Sequence, residues 1–171
     1  MNLLTKLYVT LRSVRRHPLN VRRPNRAMLD FCLAQVVSRA VPGDVCVSFP
    51  NGSLLLGPPH MKGAAHFIHP RLNEFAEMSF VMHALRPDDL FVDAGANIGA
   101  YSVLAGAVAG ARVVTFEPSP FTFQYLDRNL RLNSLTDRAS ARRKALGRQA
   151  GSLRFTDGLG TENAVAASGQ T

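Results

Sequence analysis

The sequence has 171 residues, a length that predicts one domain with a buried core. Hydrophobic residues make up 46% of the chain and charged residues 19%, which excludes a fibrous or wholly disordered protein. No apolar run is long enough for a signal sequence or a membrane span, so we expect a cytoplasmic protein without a transmembrane segment.

The net charge of +8 is unevenly distributed, because seven basic residues precede the first acidic residue, Asp30. They are Lys6, Arg12, Arg15, Arg16, Arg22, Arg23 and Arg26. No nucleic-acid-binding motif accompanies them, so we interpret this segment as a solvated basic arm and expect no nucleic-acid partner. A contact between the arm and an anionic surface or a polyanionic substrate stays open as an alternative.

The two cysteines, Cys32 and Cys46, lie in apolar stretches and form no Cys-x-x-Cys motif. This context predicts buried, reduced thiols. No metal site is expected, because the histidines in the glycine- and proline-rich segment at residues 60–69 have no acidic or cysteine neighbours at ligand spacing.

Residues 1–70 are predicted to form a basic accessory region. An opening helix with an apolar stripe is followed by a second helix at residues 28–39. Strands at residues 45–49 and 53–56 flank the step Asn51-Gly52, which favours a β-hairpin because both residue types tolerate positive φ.

Residues 71–171 change to an alternation of helices and buried strands. The predicted helices are 75–85, 98–109 and 121–132, and the predicted strands are 90–92, 112–116, 140–145 and 152–155. This alternation predicts an α/β fold with a parallel sheet and helical crossovers.

The strand that ends at Asp93 leads into a loop that contains Gly95 and Gly99. The Gly-x-x-x-Gly spacing lacks the third glycine of a dinucleotide site, and the Lys-Ser or Lys-Thr pair of a P-loop is missing. A carboxylate directly before the loop would repel a pyrophosphate, but it would attract a sulfonium and an ammonium group. The loop therefore favours S-adenosylmethionine over NAD or ATP as the cofactor.

Glu117 ends the next buried strand and can accept hydrogen bonds from ribose hydroxyls. Because ligands of open α/β sheets bind at the carboxyl ends of the strands, we expect Asp93 and Glu117 to line one crevice. Taken singly, Asp93 has an alternative interpretation as a helix cap and Glu117 as a surface residue.

The chain resembles the FkbM-type methyltransferases. The residues that carry the resemblance are 93–102 (DAGANIGAYS), Phe116-Glu117-Pro118, Asn129 and Leu132-Asn133, and it is strongest over residues 72–163. It implies a Rossmann-like class I methyltransferase that transfers a methyl group to oxygen, commonly on sugars or secondary metabolites. A small-molecule or carbohydrate acceptor is therefore expected.

The resemblance also assigns roles to individual residues. The implied cofactor-binding set is Asp93, Gly95, Ala96, Asn97, Gly99, Glu117, Pro118 and Glu74. Within this set the glycine loop would hold the methionine part, Glu117 the ribose and Pro118 the adenine, with Glu74 near the amino-acid end. Asn133 is interpreted as a helix cap, and no catalytic residue is identified.

The later FkbM-type strand with the motif Ile-Asp-Val-Glu-Gly does not occur in the sequence. We therefore expect an incomplete fold, with only its early strands and helices, and an unpaired edge on the first strand that permits self-association. The alternative to an active enzyme is a truncated, non-catalytic remnant that binds S-adenosylmethionine or a partner chain without turnover.

Overall fold

The computed structural model describes residues 2–40, 43–58, 72, 74–149 and 151. In chain order the helices and strands are α1 (Leu3–Arg16), α2 (Pro24–Ala40), β1 (Val45–Ser48), β2 (Leu54–Gly57), α3 (Phe75–Ala84), β3 (Leu90–Ala94), α4 (Ala100–Val103), β4 (Arg112–Phe116), α5 (Pro120–Leu132) and β5 (Ala139–Arg142). The strand predicted at residues 152–155 and the boundary predicted at residue 70 lie outside the described residues.

Two helices that pack against each other open the chain. Helix α1 begins after Asn2, whose side chain accepts a 2.8 Å hydrogen bond from the Thr5 N–H. A 3-10 turn at Pro18–Asn20 leads towards α2, which begins earlier than the predicted helix at residues 28–39 and otherwise confirms it. Across the stretches the structure describes, no helix is both long and apolar enough to cross a membrane.

The prediction that both cysteines are buried is wrong, because Cys32 and Cys46 are exposed free thiols. In β1 the residues alternate between faces, and Val45 and Val47 take the inward positions next to Cys46. Helix α2 is apolar on more than one side, so Leu29 is exposed on the same helix as Cys32. The apolar residues next to each cysteine in the sequence therefore did not indicate whether the cysteine lies on the covered face of its helix or strand.

The hairpin signal at Asn51-Gly52 is confirmed. Strands β1 and β2 pair antiparallel, and the turn between them places Asn51 at φ 54° and Gly52 at φ 78°. Asp44, just before β1, ties the hairpin to α5, since Asp44 accepts from the Tyr125 hydroxyl at 2.6 Å and from Arg128 at 2.6 Å.

The parallel sheet is confirmed as well, with the strand order β3-β4-β5. Strand β4 matches its prediction at residues 112–116, and α4 continues into a π-helical turn at Leu104–Val108. In the register of β3 and β4, Asp93 pairs with Thr115. Their side chains therefore share one sheet face near the carboxyl ends of both strands.

The opposite face of β3 is open. Leu90 and Val92 are each 54% exposed, whereas Asp93 between Val92 and the strand end is buried. Strand β3 forms an edge of the sheet in the part of the chain that the structure describes. The geometry agrees with the expected unpaired edge, and self-association through it stays a prediction.

The hairpin shares its core with the helices that flank the glycine loop. The buried members of this cluster are Phe49, Leu55, Leu72, Met78, Ile98, Ala100, Val103, Leu104 and Tyr125. A second cluster consists of Ala96, Leu126, Leu130 and Leu135. Residues from both predicted regions thus pack into a common core next to the loop.

Candidate functional site

The glycine loop is held in a conformation with three left-handed residues: Gly95 at φ 82°, Asn97 at φ 53° and Gly99 at φ 91°. The N–H groups of Gly95 and Ala96 both donate to the Phe116 carbonyl, at 2.9 and 3.0 Å, which ties the loop to the end of β4. A Cβ atom on Gly99 would lie 2.6 Å from Leu126 Cδ1, so α5 lies directly against this turn. Both the backbone angle and the close approach require glycine here.

Glu117 joins the glycine loop to the loop that precedes α5. Its Oε2 accepts from the Asn97 N–H at 2.8 Å, and its Oε1 accepts from the Ser119 N–H at 2.9 Å and the Thr122 hydroxyl at 2.8 Å. Glu117 is only 6% exposed. A carboxylate offers about four lone-pair sites, so about one is left for a ligand in this conformation. The ribose contact of Glu117 stays a prediction.

Asp93 is buried beside Glu117. Its Oδ2 accepts from the Ser102 hydroxyl at 2.6 Å. Burial raises the pKa of Asp93 above its usual value, the charge of Glu117 raises it further, and the hydrogen bonds from Ser102 oppose the rise. The structure therefore brings together the two carboxylates that were predicted at the strand ends.

Asn97, which contacts Glu117, has an unsatisfied acceptor. Its N–H is bonded to Glu117, but its Oδ1 is buried without a partner among the residues that the structure describes. An unpaired buried oxygen costs free energy, so this atom is suited to a ligand donor.

Glu74 is linked to the start of α4 through Tyr101. The Tyr101 hydroxyl donates to Glu74 Oε2 at 2.5 Å. Burial raises the pKa of Tyr101, the hydrogen bond to Glu74 raises it further, and so do the charges of Glu74, Glu77 and Asp93. Acidic residues thus surround Tyr101 at the start of α4, although the chain as a whole is basic.

The two remaining predicted residues have different surroundings. Pro118 is half-buried directly after Glu117 and before Ser119, whose side chain caps α5. Ala96 packs its side chain against Leu126 and uses its N–H for the Phe116 carbonyl. The side chain and the N–H group of Ala96 are therefore both engaged in contacts within the protein.

Sequence reasoning missed three polar residues that build the site: Ser102, Thr122 and Asn129. Each is at most 1% exposed and lies on a helix. Asn129 donates to the Ile98 carbonyl in the glycine loop at 2.8 Å. The signal that could have found them is a polar residue at a helix position where the 3.6-residue period places the buried face.

Comparison with protein-family models gives no match, so the FkbM-type resemblance stays a prediction. Among curated proteins, the chain is 33% identical to methyltransferase sdnD of Sordaria araneosa over 93 residues, which are 54% of this chain and 35% of that protein. It is 30% identical to methyltransferase 1 of Beauveria bassiana over 99 residues, 57% of this chain and 39% of that protein.

A third relative is a tRNA(Phe) aminocarboxypropyltransferase of Pyrococcus horikoshii, 41% identical over 56 residues, which are 33% of this chain and 20% of that protein. The chain thus spans well under half the length of these relatives. Because this relative is named for a reaction on tRNA, the expectation of no nucleic-acid partner gains no support.

Solved structures show the fold. P. horikoshii TYW2 in complex with MeSAdo superposes with a TM-score of 0.51 and 23% identity, covering 72% of this chain and 50% of that one. A second P. horikoshii protein, named as a transferase, gives a TM-score of 0.52 at 22% identity, covering 71% of this chain and 50% of that one. The chain has part of the Rossmann-like fold of class I methyltransferases.

Proposed function

We propose that this chain is the cofactor-binding part of an S-adenosylmethionine-dependent methyltransferase. The observation that carries the proposal is the convergence of Asp93, Glu117 and the unsatisfied Asn97 Oδ1 on one left-handed glycine loop. The names of the two fungal relatives support the same reaction class.

The residues present fit this cofactor chemically. Asn97 Oδ1 and the Asp93 carboxylate are acceptors for an ammonium group, and their surroundings favour a cation. A Cβ atom on Gly95 would meet no atom within 4 Å, so the loop is open on the side where a ligand can approach the backbone. Glu117, Pro118 and the more distant Glu74 complete the proposed binding set, while Ala96 contributes by packing.

When bound, S-adenosylmethionine supplies an electrophilic methyl group on a sulfonium. The work of this chain is to bind and orient, because methyl transfer depends mainly on alignment of the reacting atoms. Glu117 fixes the Asn97 backbone, and Ser102 fixes the Asp93 carboxylate, so the acceptor atoms are held in place before a ligand arrives.

For the acceptor we propose a hydroxyl of a sugar or secondary metabolite, on the strength of the FkbM-type resemblance. Transfer of a labelled methyl group to sugar and secondary-metabolite pools tests this, with tRNA as a separate acceptor. Labelling of tRNA alone would contradict the proposed acceptor and leave the reaction class intact.

The alternative is a non-catalytic chain that binds S-adenosylmethionine without turnover. The open edge of β3 in the described part of the sheet favours this alternative. Cofactor binding without methyl transfer to any acceptor would support this alternative.

Calorimetric titration with S-adenosylhomocysteine, and with NAD as the matched control, tests the proposed cofactor. We expect saturable heat with S-adenosylhomocysteine and none with NAD, because a pyrophosphate would meet Asp93 and Glu117. A folded chain, verified by circular dichroism, that gives no heat with S-adenosylhomocysteine would overturn the proposal.

Asparagine in place of Asp93 is expected to weaken S-adenosylmethionine binding by about 1–3 kcal/mol, the range for hydrogen bonds to charged groups. Because the pKa of Asp93 is raised above its ordinary value of 3.8, the carboxylate ionises only as the pH rises through that raised value. Calorimetry should show wild-type affinity that increases upwards from about pH 4 and then levels off. The affinity of Asp93→Asn should not follow this rise.

The same substitution is expected to stabilise the unliganded protein. A raised carboxyl pKa means that its stabilising contribution is present below about pH 3.8 and is lost as the pH rises through the folded-state pKa. Asparagine avoids this loss and keeps an acceptor for Ser102, so its advantage in urea unfolding should grow with pH. Asp88→Asn, at an exposed acid, is the control, and a less stable Asp93→Asn protein at neutral pH would contradict the expectation.

A further inference from the structure

Two asparagine side chains bind the outer edge of strand β2: Asn129 on α5 and Asn133, the residue that caps the C-terminus of α5. Asn133 accepts from the Leu54 N–H at 2.8 Å and donates to the Leu54 carbonyl at 2.8 Å. Asn129 does the same with Leu56, at 2.7 and 2.9 Å. Each side-chain amide thus takes the place of a backbone amide in a neighbouring strand.

The match follows from the dimensions of helix and strand. Residues four apart on a helix are separated by about 6 Å along its axis, and residues two apart on a strand by about 6.6–6.8 Å. Asn129 and Asn133 are therefore spaced to meet Leu56 and Leu54, whose N–H and carbonyl groups point away from β1. The helix covers a strand edge that would otherwise be open.

Among the residues that the structure describes, Asn129 also contacts the glycine loop, whereas Asn133 does not. Asn129 Nδ2 donates a further hydrogen bond of 2.8 Å to the Ile98 carbonyl, and Asn129 is 0% exposed. Ile98 lies between Asn97, with its unsatisfied oxygen, and Gly99, against which Leu126 of the same helix packs. One amide therefore links β2, α5 and the loop.

We propose that Asn129 is a positioning residue, which transmits the docking of the hairpin to the cofactor site by fixing the Ile98 carbonyl and hence the Asn97 turn. The inference rests on the proposed function. The hairpin is in this view a part of the cofactor site, although none of its residues was predicted to bind the ligand.

The matched variants Asn129→Leu and Asn133→Leu test the role, because leucine has a similar shape and no hydrogen-bonding group. Both variants release the edge of β2 and are expected to lower the thermal midpoint. Only Asn129→Leu also releases Ile98, so its calorimetric affinity for S-adenosylhomocysteine should fall about fivefold or more, the effect of losing one hydrogen bond. The affinity of Asn133→Leu should stay within about twofold of wild type.

Hydrogen exchange of the wild-type chain gives a second readout that requires no variant. Coupling between two sites is reciprocal, so a ligand that needs Asn129 in place must in turn hold Asn129 in place. The Leu56 N–H donates a hydrogen bond to Asn129, and the Leu54 N–H donates one to Asn133. Saturation with S-adenosylhomocysteine should therefore slow hydrogen exchange at Leu56 more than at Leu54.

The outcomes separate this inference from the proposed function. A wild-type chain that does not bind S-adenosylhomocysteine overturns both. Wild-type binding, together with equal affinities of the two variants or equal protection of Leu54 and Leu56, overturns the role of Asn129 alone. If Asn129→Leu does not fold, the exchange measurement on the wild type decides.

Discussion

Alanine in place of Glu117 is expected to lower the free energy of unfolding by about 2–5 kcal/mol and to abolish detectable binding of S-adenosylhomocysteine. The reason is that three donors lose the Glu117 carboxylate at once: the N–H groups of Asn97 and Ser119 and the Thr122 hydroxyl, which keeps only a 3.5 Å contact with the Ser119 carbonyl. Each orphaned donor costs about 1–3 kcal/mol, and partial relaxation reduces the sum. Urea unfolding followed by circular dichroism measures the loss of stability.

Glu77→Ala is the matched control, since Glu77 is an exposed glutamate on α3. Its stability should stay within about 0.5 kcal/mol of wild type, as for most surface substitutions. Equal unfolding midpoints for Glu117→Ala and Glu77→Ala would show that Glu117 does not hold the two loops together. Loss of binding with unchanged stability would instead indicate a direct ligand contact without a structural role.

Alanine in place of Gly99 is expected to destabilise the fold by about 2–5 kcal/mol, from two causes. The residue has φ 91°, where a Cβ atom is strained, and that atom would lie 2.6 Å from Leu126 Cδ1. The backbone strain costs about 1–2 kcal/mol and the overpacking about 1–3 kcal/mol. Thermal unfolding should show a clearly lowered midpoint.

Gly95→Ala separates these two causes. Gly95 has a similar φ of 82°, but a Cβ atom there would meet no atom within 4 Å. Its substitution should therefore cost the backbone strain alone, about 1–2 kcal/mol. A double-mutant cycle between Gly99→Ala and Leu126→Ala should show favourable coupling, and strict additivity of the two changes would contradict the contact.

Local signals in the sequence were enough to place the main elements. Strand β4 matches its predicted bounds, and the Asn51-Gly52 turn gives the hairpin, because hydrophobic runs and positive-φ residues act over a few positions. The convergence of Asp93 and Glu117 was also predictable, since both follow buried strands and a parallel sheet aligns the strand ends.

What sequence reasoning could not supply depends on contacts between distant residues. It did not predict that the left-handed turn at Asn97 directs an N–H group onto the Glu117 carboxylate. It gave Asn129 no role, because the edge of β2 that this amide binds is 73 positions away in the chain. It predicted that Cys32 is buried, whereas the thiol is exposed. A helix with apolar residues on more than one face has no periodic pattern that indicates which face is covered.

The long separation of the hairpin contacts has a consequence for the order of folding. Hydrogen bonds around Asp93, Glu117 and the glycine loop join residues 2 to 31 positions apart, whereas those that hold the hairpin on α5 join residues 73 to 84 positions apart. Loop-closure entropy grows with this separation, and non-local contacts slow folding. We expect the strand-loop-helix unit to form first, so that the glycine loop becomes fully ordered only once the β1–β2 hairpin docks on α5.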